Sequence, residues 1–282
     1  MTIQQTTAQF KEQLAGIYDN AEIDAMLRVV YEDVLHYSPV DVALRHDHEV
    51  PDFFPDTLRD IITRLQRHEP LQYILGTARF HGHTLTVTPA TLIPRPETEQ
   101  LVDMIVDENP ASDLHVLDLG TGSGCIALAL ARALRFANVT GIDSSADALA
   151  VARLNSRRLK AAVDFRQADI LCLDTLGDTT WDIIVSNPPY VTMSERDAMQ
   201  DNVLRYEPAQ ALYVTDDNPL LYYKAIARYA ATTLVGGGRL YLEINSRFPR
   251  QMEDLLNGEG FEHVRIVNDS FNQPRFATAQ QP

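Results

Sequence analysis

An α/β fold built on a doubly wound, mostly parallel sheet and preceded by a small helical domain is what this sequence predicts. From about residue 97 onward, short β-rich runs alternate with helical stretches, the pattern of parallel strands joined by crossover helices. Before residue 70, apolar side chains recur only at helical spacing. The 282 residues are also about twice the length of an average domain, room for a large body and a smaller companion.

In the first segment Ile23, Met26, Leu27, Val30, Val34 and Leu35 recur three and four apart, and Leu58, Ile61, Ile62 and Leu65 repeat the pattern. Pro39, Pro51 and Pro55 punctuate it, so residues 1–75 read as a bundle of short helices with no catalytic character. Residues 76–96 alternate like strands between Thr84 and Thr88, with Gly82 at a hairpin turn. Poor in Ser and Gly, this stretch is a bridge into the body rather than a floppy tether. Over residues 97–282 the β runs are HVLDLG (115–120), NVTGID (138–143), VDFRQA (163–168), WDIIVSN (181–187), RLYLEI (239–244), FEHVRIV (261–267) and RFATA (275–279). Helices are expected near 97–108, 124–135, 145–160, 218–234 and 247–257. The last two β runs are joined too briefly for a crossover helix, so they should form an antiparallel edge.

Composition narrows the class. Apolar residues at 45% and charged residues at 22% are those of a globular protein, which excludes disordered, collagenous and disulfide-stapled chains. No apolar run approaches the ~18 to 20 residues of a membrane span. The opening MTIQQTTAQFKEQ lacks the basic and apolar regions of a signal peptide, so a cytoplasmic location away from membranes is expected. Cys125 and Cys172 lie in apolar stretches and read as reduced core thiols. The 24 basic and 39 acidic residues give a net charge of −15, spread over both parts: 7 against 13 in residues 1–85, and 17 against 26 thereafter. Such a surface opposes direct nucleic-acid binding, which neutralises phosphates with Lys and Arg. The densest basic stretch, Arg153, Arg157, Arg158 and Lys160, has the spacing of a solvated helix face.

Two motifs carry chemistry. After the first strand of the body comes a loop with Gly120, Gly122 and Gly124, then an Ala/Leu-rich helix. Glycines suit a sharp turn that lets a ligand approach the backbone with no Cβ in the way. The second strand ends in Asp143, where α/β nucleoside sites place a carboxylate that accepts from ribose hydroxyls; its competing reading is a cap of the helix starting near Ser145. The loop reads G-x-G-x-G rather than G-x-G-x-x-G, and it has no phosphate-binding Lys. That spelling disfavours a pyrophosphate ligand, and with it an NAD-dependent oxidoreductase, and favours an adenosine bearing a compact zwitterionic tail. DLGTGSG (118–124) followed by an acidic strand end resembles the class I S-adenosylmethionine-dependent methyltransferases, with a Rossmann-like seven-stranded sheet. The resemblance implies S-adenosylmethionine bound by Gly120, Thr121, Gly122, Ser123, Gly124, Asp143, Ile170 and Asn187, with Asp118 orienting the methionine end.

The fourth strand runs into Asn187-Pro188-Pro189-Tyr190, at the strand end where α/β sheets hold their chemistry. Two prolines fix φ, and the Asn187 side-chain oxygen and the Pro188 carbonyl can each accept one N–H of a planar NH2 group. Tyr190 offers it a flat face. A plain exposed Pro-Pro turn is the bland alternative; Asn before and Tyr after, directly at a strand end, argue against it.

PLQYILGTARFHGHTLTVTPATLIPRPETEQLV (70–102), GIDSSADALAVARLN (141–155), SNPPY (186–190), YEPAQAL (206–212) and a terminal RF (275–276) together resemble the release factor glutamine methyltransferases over most of the chain. The resemblance implies transfer of a methyl group to the side-chain amide nitrogen of the glutamine in the Gly-Gly-Gln motif of class I peptide chain release factors. Asn187, Pro188 and Tyr190 would be catalytic, with Pro189 joining them in holding the substrate. It also implies a substrate-recognition role for the helical domain, 1–75, a hairpin and linker over 76–96, and a catalytic domain over 97–282; a monomer is expected. Ile170 stands where some relatives stack an aromatic residue on the adenine, and Asn245 stands where Gly is frequent.

The rival readings are an N6-adenine methyltransferase of nucleic acid, opposed by the charge, and a noncatalytic nucleoside-binding adaptor, opposed by the intact NPPY. No metal is expected: His81 and His83 lack a third ligand nearby in sequence and read as a hairpin tip. Glu243 reads either as a general base or as a buried carboxylate with a structural partner. Gly236-Gly237-Gly238 reads as a helix C-cap and turn.

Overall fold

The computed structural model describes residues 1–177 and 179–282, with the side chains of all but Asp174 and Thr175. The chain forms two compact units, one of Met1–Gly76 with Gln200–Tyr206 and the other of Thr77–Met199 with Glu207–Pro282.

The first unit is helical: α1 (Ile3–Leu14), α2 (Asn20–Val30), α3 (Pro39–Leu44), α4 (Phe54–Leu65) and α5 (Leu71–Leu75). Local chemistry starts these helices. Thr2 and Gln5 form a capping box at α1, Asp19 caps α2 through Glu22 N, and Ser38 caps α3 just ahead of Pro39. The residues at three- and four-residue spacing, among them Ile23, Leu27, Leu58, Ile61, Ile62 and Leu65, make the core with Phe10, Leu14 and Phe54. Tyr31 is buried there because its hydroxyl finds Thr6 at 2.8 Å and Thr7 at 2.9 Å. A short helix far along the chain, Asp201–Tyr206, belongs to this unit, and Tyr206 donates to the Arg67 carbonyl at 3.0 Å.

The second unit opens with a hairpin, β1 (Thr77–Phe80) and β2 (His83–Thr86), closed by His81 and Gly82 with φ of 47° and 74°. A two-residue hairpin turn of this twist requires two positive φ values, and Gly82 supplies one without strain. There follow α6 (Pro96–Glu108), β3 (His115–Leu119), α7 (Cys125–Ala133), β4 (Asn138–Asp143), α8 (Ala146–Leu159) and β5 (Val163–Gln167). Next come β6 (Trp181–Ser186), β7 (Val191–Thr192), then, after the Asp201–Tyr206 helix of the first unit (α9), β8 (Tyr213–Val214) and α10 (Leu221–Thr233). The chain ends with β9 (Leu234–Glu243), α11 (Pro249–Gly258), β10 (Glu262–Asn268) and β11 (Pro274–Gln280). The seven-stranded sheet has the order β10-β11-β9-β6-β3-β4-β5. It is parallel from β9 to β5, and β11 runs antiparallel to both β9 and β10. The seven runs read from sequence are these seven strands, and the antiparallel edge lies where the short last connection put it.

Alternation along the strands fills a core on each face. Leu117, Ile184, Leu240 and Leu242 pack on one side with α10 and α11 residues, while Val116, Ile183, Tyr241 and Phe276 pack on the other with residues of α6, α7 and α8.

Two expectations differ from the structure. Gly236-Gly237-Gly238 lies inside β9: α10 ends at Thr233 and the chain enters the strand at once, with Gly237 N donating to Gln281 O at 2.9 Å and Gln281 N donating to Gly238 O at 2.8 Å. The glycines serve a crowded, irregular strand start, since a Cβ on Gly238 would come within 2.8 Å of the Val235 carbonyl. Cys172 is exposed rather than a core thiol, because in the 3₁₀ turn Ile170–Leu176 the inward positions fall to Ile170 and Leu173.

Gly141 in β4 is a packing constraint in its own right. A Cβ there would lie 2.9 Å from both Thr121 Oγ1 and Phe165 Cε1, closer than real contacts allow. Gly141→Ala is therefore expected to destabilise the chain by about 1–3 kcal/mol, read as a lower urea midpoint at unchanged slope.

Candidate active site

Strand order reverses between β3 and β6, and the connections leaving their carboxyl ends diverge there, which opens a crevice in a doubly wound sheet. Both chemical motifs occupy these ends. The Ser186 hydroxyl, fully buried, donates to the Leu119 carbonyl at 2.6 Å and ties the start of NPPY to the start of the glycine loop.

The loop is shaped by its backbone. Gly120, Gly122 and Gly124 have φ of 77°, 55° and 82°, the left-handed region that other residues enter only with strain. Gly120 N and Thr121 N both donate to the Ile142 carbonyl, at 2.9 and 2.8 Å, so the loop hangs from the end of β4. Asp143 accepts Gly122 N and Ser145 N, each at 2.9 Å, while the Ser145 hydroxyl caps α8. Burial raises the Asp143 pKa, opposed by the N–H groups of Ser145 and Gly122. Asp118 is fully buried; its Oδ2 accepts the Thr121 hydroxyl at 2.7 Å and Ala127 N at 3.2 Å. Burial, opposed by those two bonds, pushes its pKa up to about 7.

At the other strand end, Asn187 Nδ2 donates to Thr98 Oγ1 at 3.4 Å, and Thr98 donates to Glu243 Oε2 at 2.7 Å. Tyr190 donates to Glu243 Oε1 at 3.0 Å. Glu243 is thus a buried carboxylate with partners on both oxygens. Its pKa is raised: burial outweighs the Thr98 and Tyr190 hydrogen bonds and Arg275, which lower it. Asn245 uses its whole side chain: Nδ2 donates to the Tyr190 carbonyl at 3.0 Å and to Glu195 at 2.8 Å, and Oδ1 accepts Arg247 N at 2.9 Å. A glycine at that position would leave the end of NPPY without these ties.

A cavity of about 310 Å³ lies between the two motifs. Gly120, Thr121, Gly122, Ser123, Asp143, Ile170, Asn187 and Pro189 line it; Gly124, Pro188 and Tyr190 do not. Gly124 is the residue before α7, where a Cβ would press on Leu128, Phe165 and Ala152. The Tyr190 ring packs against the apolar core beside α10 rather than facing the cavity. His81 pairs with Asp103 at 3.0 Å and His83 accepts from Arg132 at 3.2 Å, so the hairpin histidines are engaged separately.

Several cavity residues lie in runs that carried the resemblance but were given no role from sequence. Leu92 lines the cavity just before the IPRPETE run (93–99), Pro94, Arg95 and Thr98 line it from within that run, and Gln210 and Ala211 line it from YEPAQAL. Glu207 joins these runs: its side chain, 1% exposed, accepts Arg95 Nη2 at 2.5 Å and Ile93 N at 3.2 Å. Asn155 on α8 accepts Thr86 N at 2.7 Å and donates to the Thr86 and Ser123 carbonyls, binding the hairpin and the glycine loop to one helix.

A methyltransferase-domain family model matches residues 110–255, and a model of the PrmC N-terminal domain matches residues 3–76. A release factor glutamine methyltransferase of Bacteroides thetaiotaomicron is 42% identical over 98% of this chain and 99% of its own length. The chain belongs to the release factor glutamine methyltransferase family. A further member, from Streptococcus pneumoniae, is 37% identical over 98% of this chain and 97% of its own length. Among solved structures, a methyltransferase from Pyrococcus furiosus superposes with a TM-score of 0.53 at 15% identity, covering 70% of this chain and 88% of that one. A Thermus thermophilus 16S rRNA methyltransferase, solved with S-adenosylmethionine and guanosine, gives 0.53 at 20% identity over 73% of this chain and 50% of that one. These two likenesses establish the class I methyltransferase fold of the body.

The raised pKa of Asp118 has a measurable sign. Folding tightens its hold on the proton, so between its ordinary 3.8 and about 7 the group withdraws stability as pH rises. Asp118→Asn has no such proton, and urea denaturation across this window is expected to show wild type losing ground to the variant as pH increases. A constant difference between the two would contradict the shift.

Proposed function

We propose that this chain uses the β3–β6 crevice to methylate the side-chain amide nitrogen of the Gly-Gly-Gln glutamine in class I peptide chain release factors, with S-adenosylmethionine as methyl donor. The observation that carries the reading is the state of Asn187. Its N–H is directed to Thr98, and its Oδ1, with no partner among the described residues, remains an acceptor on a cavity that also holds the glycine loop.

The residues fit the cofactor. Ser123 Oγ, on the cavity wall, is buried without a hydrogen-bond partner, an orphaned polar atom that a ligand would satisfy; Asp118 Oδ1 is also unpartnered but lies behind the loop and does not line the cavity. Asp143 has lone pairs beyond its two N–H bonds for ribose hydroxyls. Ile170 covers the loop, its Cδ1 3.4 Å from where a Cβ on Gly120 would stand, so glycine keeps the cradle open beneath an aliphatic lid for the adenine. Thr121 and Gly124 set the loop's shape around it.

Bound S-adenosylmethionine supplies a methyl group on a positively charged sulfur. The protein must do the rest by placement, because a carboxamide nitrogen is a weak nucleophile. Asn187 Oδ1, on the cavity, accepts one N–H of the substrate amide, and the second N–H is assigned to the Pro188 carbonyl, which adjoins the cavity between Asn187 and Pro189 without lining it. Together they orient the amide nitrogen. As positive charge grows on that nitrogen, the two oxygens stabilise it, and being fixed by β6 and two prolines they need little reorganisation. Pro189 walls the site, and Tyr190 anchors the motif through Glu243. No strong base is required, since the proton becomes acidic only once the methyl bond forms.

The helical unit is assigned the recognition of the protein substrate, and the enzyme is read as a cytoplasmic monomer. No helix among the described residues is long and apolar enough to cross a membrane. The net charge of −15 favours a protein over a nucleic acid as the source of the NH2 group.

Incubation with a release factor and S-adenosylmethionine should add about 14 Da to the motif glutamine by peptide mass spectrometry, and nothing to an adenine-containing oligonucleotide. Asn187→Ala should lower turnover by ~100-fold or more at near-unchanged cofactor affinity. Full activity of that variant would refute the assigned role.

A further inference from the structure

We infer that Thr98 and Glu243 form a hydrogen-bond relay that sets which end of the Asn187 amide faces the cavity. The inference rests on the function proposed above and concerns two positioning residues, not the groups that touch the substrate amide.

The argument is one of proton count. A threonine hydroxyl has a single hydrogen to donate. Thr98 gives it to Glu243 Oε2 at 2.7 Å, so toward Asn187 it can only accept, and Asn187 meets it with Nδ2 at 3.4 Å. An amide presenting its nitrogen to Thr98 presents its oxygen the other way. The polarity therefore originates at Glu243, whose carboxylate receives an O–H on each oxygen, from Thr98 and from Tyr190 at 3.0 Å. The relay takes Glu243 in its ionised form, accepting on both oxygens. Arg275 favours that charge; burial and Glu97 oppose it, and the Tyr190 and Tyr223 hydroxyls lie around it, Tyr223 donating to the Glu243 carbonyl at 3.1 Å.

The relay is also rigid. Thr98 is 2% exposed in the first turn of α6, behind Pro96, and Glu243 is 1% exposed at the end of β9. Thr98 reaches Asn187 from α6 and Glu243 reaches Thr98 from β9, so neither can turn without leaving a buried polar group unpaired. A reversed Asn187 amide would offer donors to an NH2 group that itself needs acceptors, and the substrate amide would lose one of its two contacts.

Glu243→Gln inverts the polarity at nearly constant volume. With the glutamine oxygen taking the Tyr190 hydroxyl, its NH2 donates to Thr98, and the Thr98 hydroxyl then donates to the Asn187 oxygen. Expected are a ~10- to 100-fold fall in kcat with release factor, an S-adenosylmethionine Kd within about threefold of wild type, and retained folding by circular dichroism. Thr98→Val should cost ~10-fold in kcat, Thr98→Ser should rescue it, and Glu243→Gln added to Thr98→Val should cost little more, because both act through one chain of bonds.

A readout free of any acceptor is the NOE between the Asn187 side-chain NH2 and the Thr98 side-chain protons, expected in wild type and lost in Glu243→Gln. An NOE absent from wild type, an NOE kept in Glu243→Gln, unchanged kcat in Glu243→Gln, or additive losses in the double variant would each overturn the relay. Failure of wild-type protein to methylate a release factor would count against the substrate instead, and the NOE would still decide the relay.

Discussion

The central strands β3 and β6 are buried on both faces, and that burial governs the rest of the molecule. Val116, Leu117, Ile183, Ile184 and Val185 are each 0% exposed, so these strands have no polar face to give to chemistry. Polar function is pushed to their carboxyl ends, where hydrogen bonding along the sheet stops and the chain turns away. The reversal of strand order between β3 and β6 adds space at that point. Glycine loop and NPPY motif are neighbours because two apolar strands are.

The buried carboxylates near this point are each held by hydrogen bonds that tie one element to another. Glu243 is buried at the end of β9, after the apolar run Leu240-Tyr241-Leu242, and it holds there because Thr98 and Tyr190 bring hydroxyls to it. Asp118 is held by Thr121 and by an N–H of α7, and it ties loop to helix. Glu207 takes Arg95 and Ile93 N, which closes the IPRPETE run onto the YEPAQAL run. These carboxylates act as the fasteners of the site wall.

Much of this architecture is legible in the sequence. The seven strands follow from runs of β-branched and apolar residues bounded by turn signals, and Asp143, the glycine loop and NPPY fall at strand ends because their sequence context says so. The role of IPRPETE was not legible, although the run stood out. Thr98 is separated from Glu243 by 145 positions and from Asn187 by 89, and nothing local in either sequence names the other. The same holds for Ser186 with Leu119, 67 positions apart, and for Asn155 with Thr86, 69 apart. Gly141 lies in the middle of a strand run and shows its purpose only when Phe165 and Thr121 are placed beside it.

Short-range rules thus determined the elements, the two motifs and the chemical class of the ligand group, since hydrophobic period, glycine placement and a Pro-Pro pair act within a few residues. Only tertiary structure decided which polar groups meet and in what orientation. It turned Tyr190 onto Glu243 rather than toward the cavity, gave Asn245 three partners, and set the Asn187 amide through Thr98. The reason is physical: a hydrogen bond between distant residues depends on where two strands and a helix end in space, and one residue type at one position does not encode that distance.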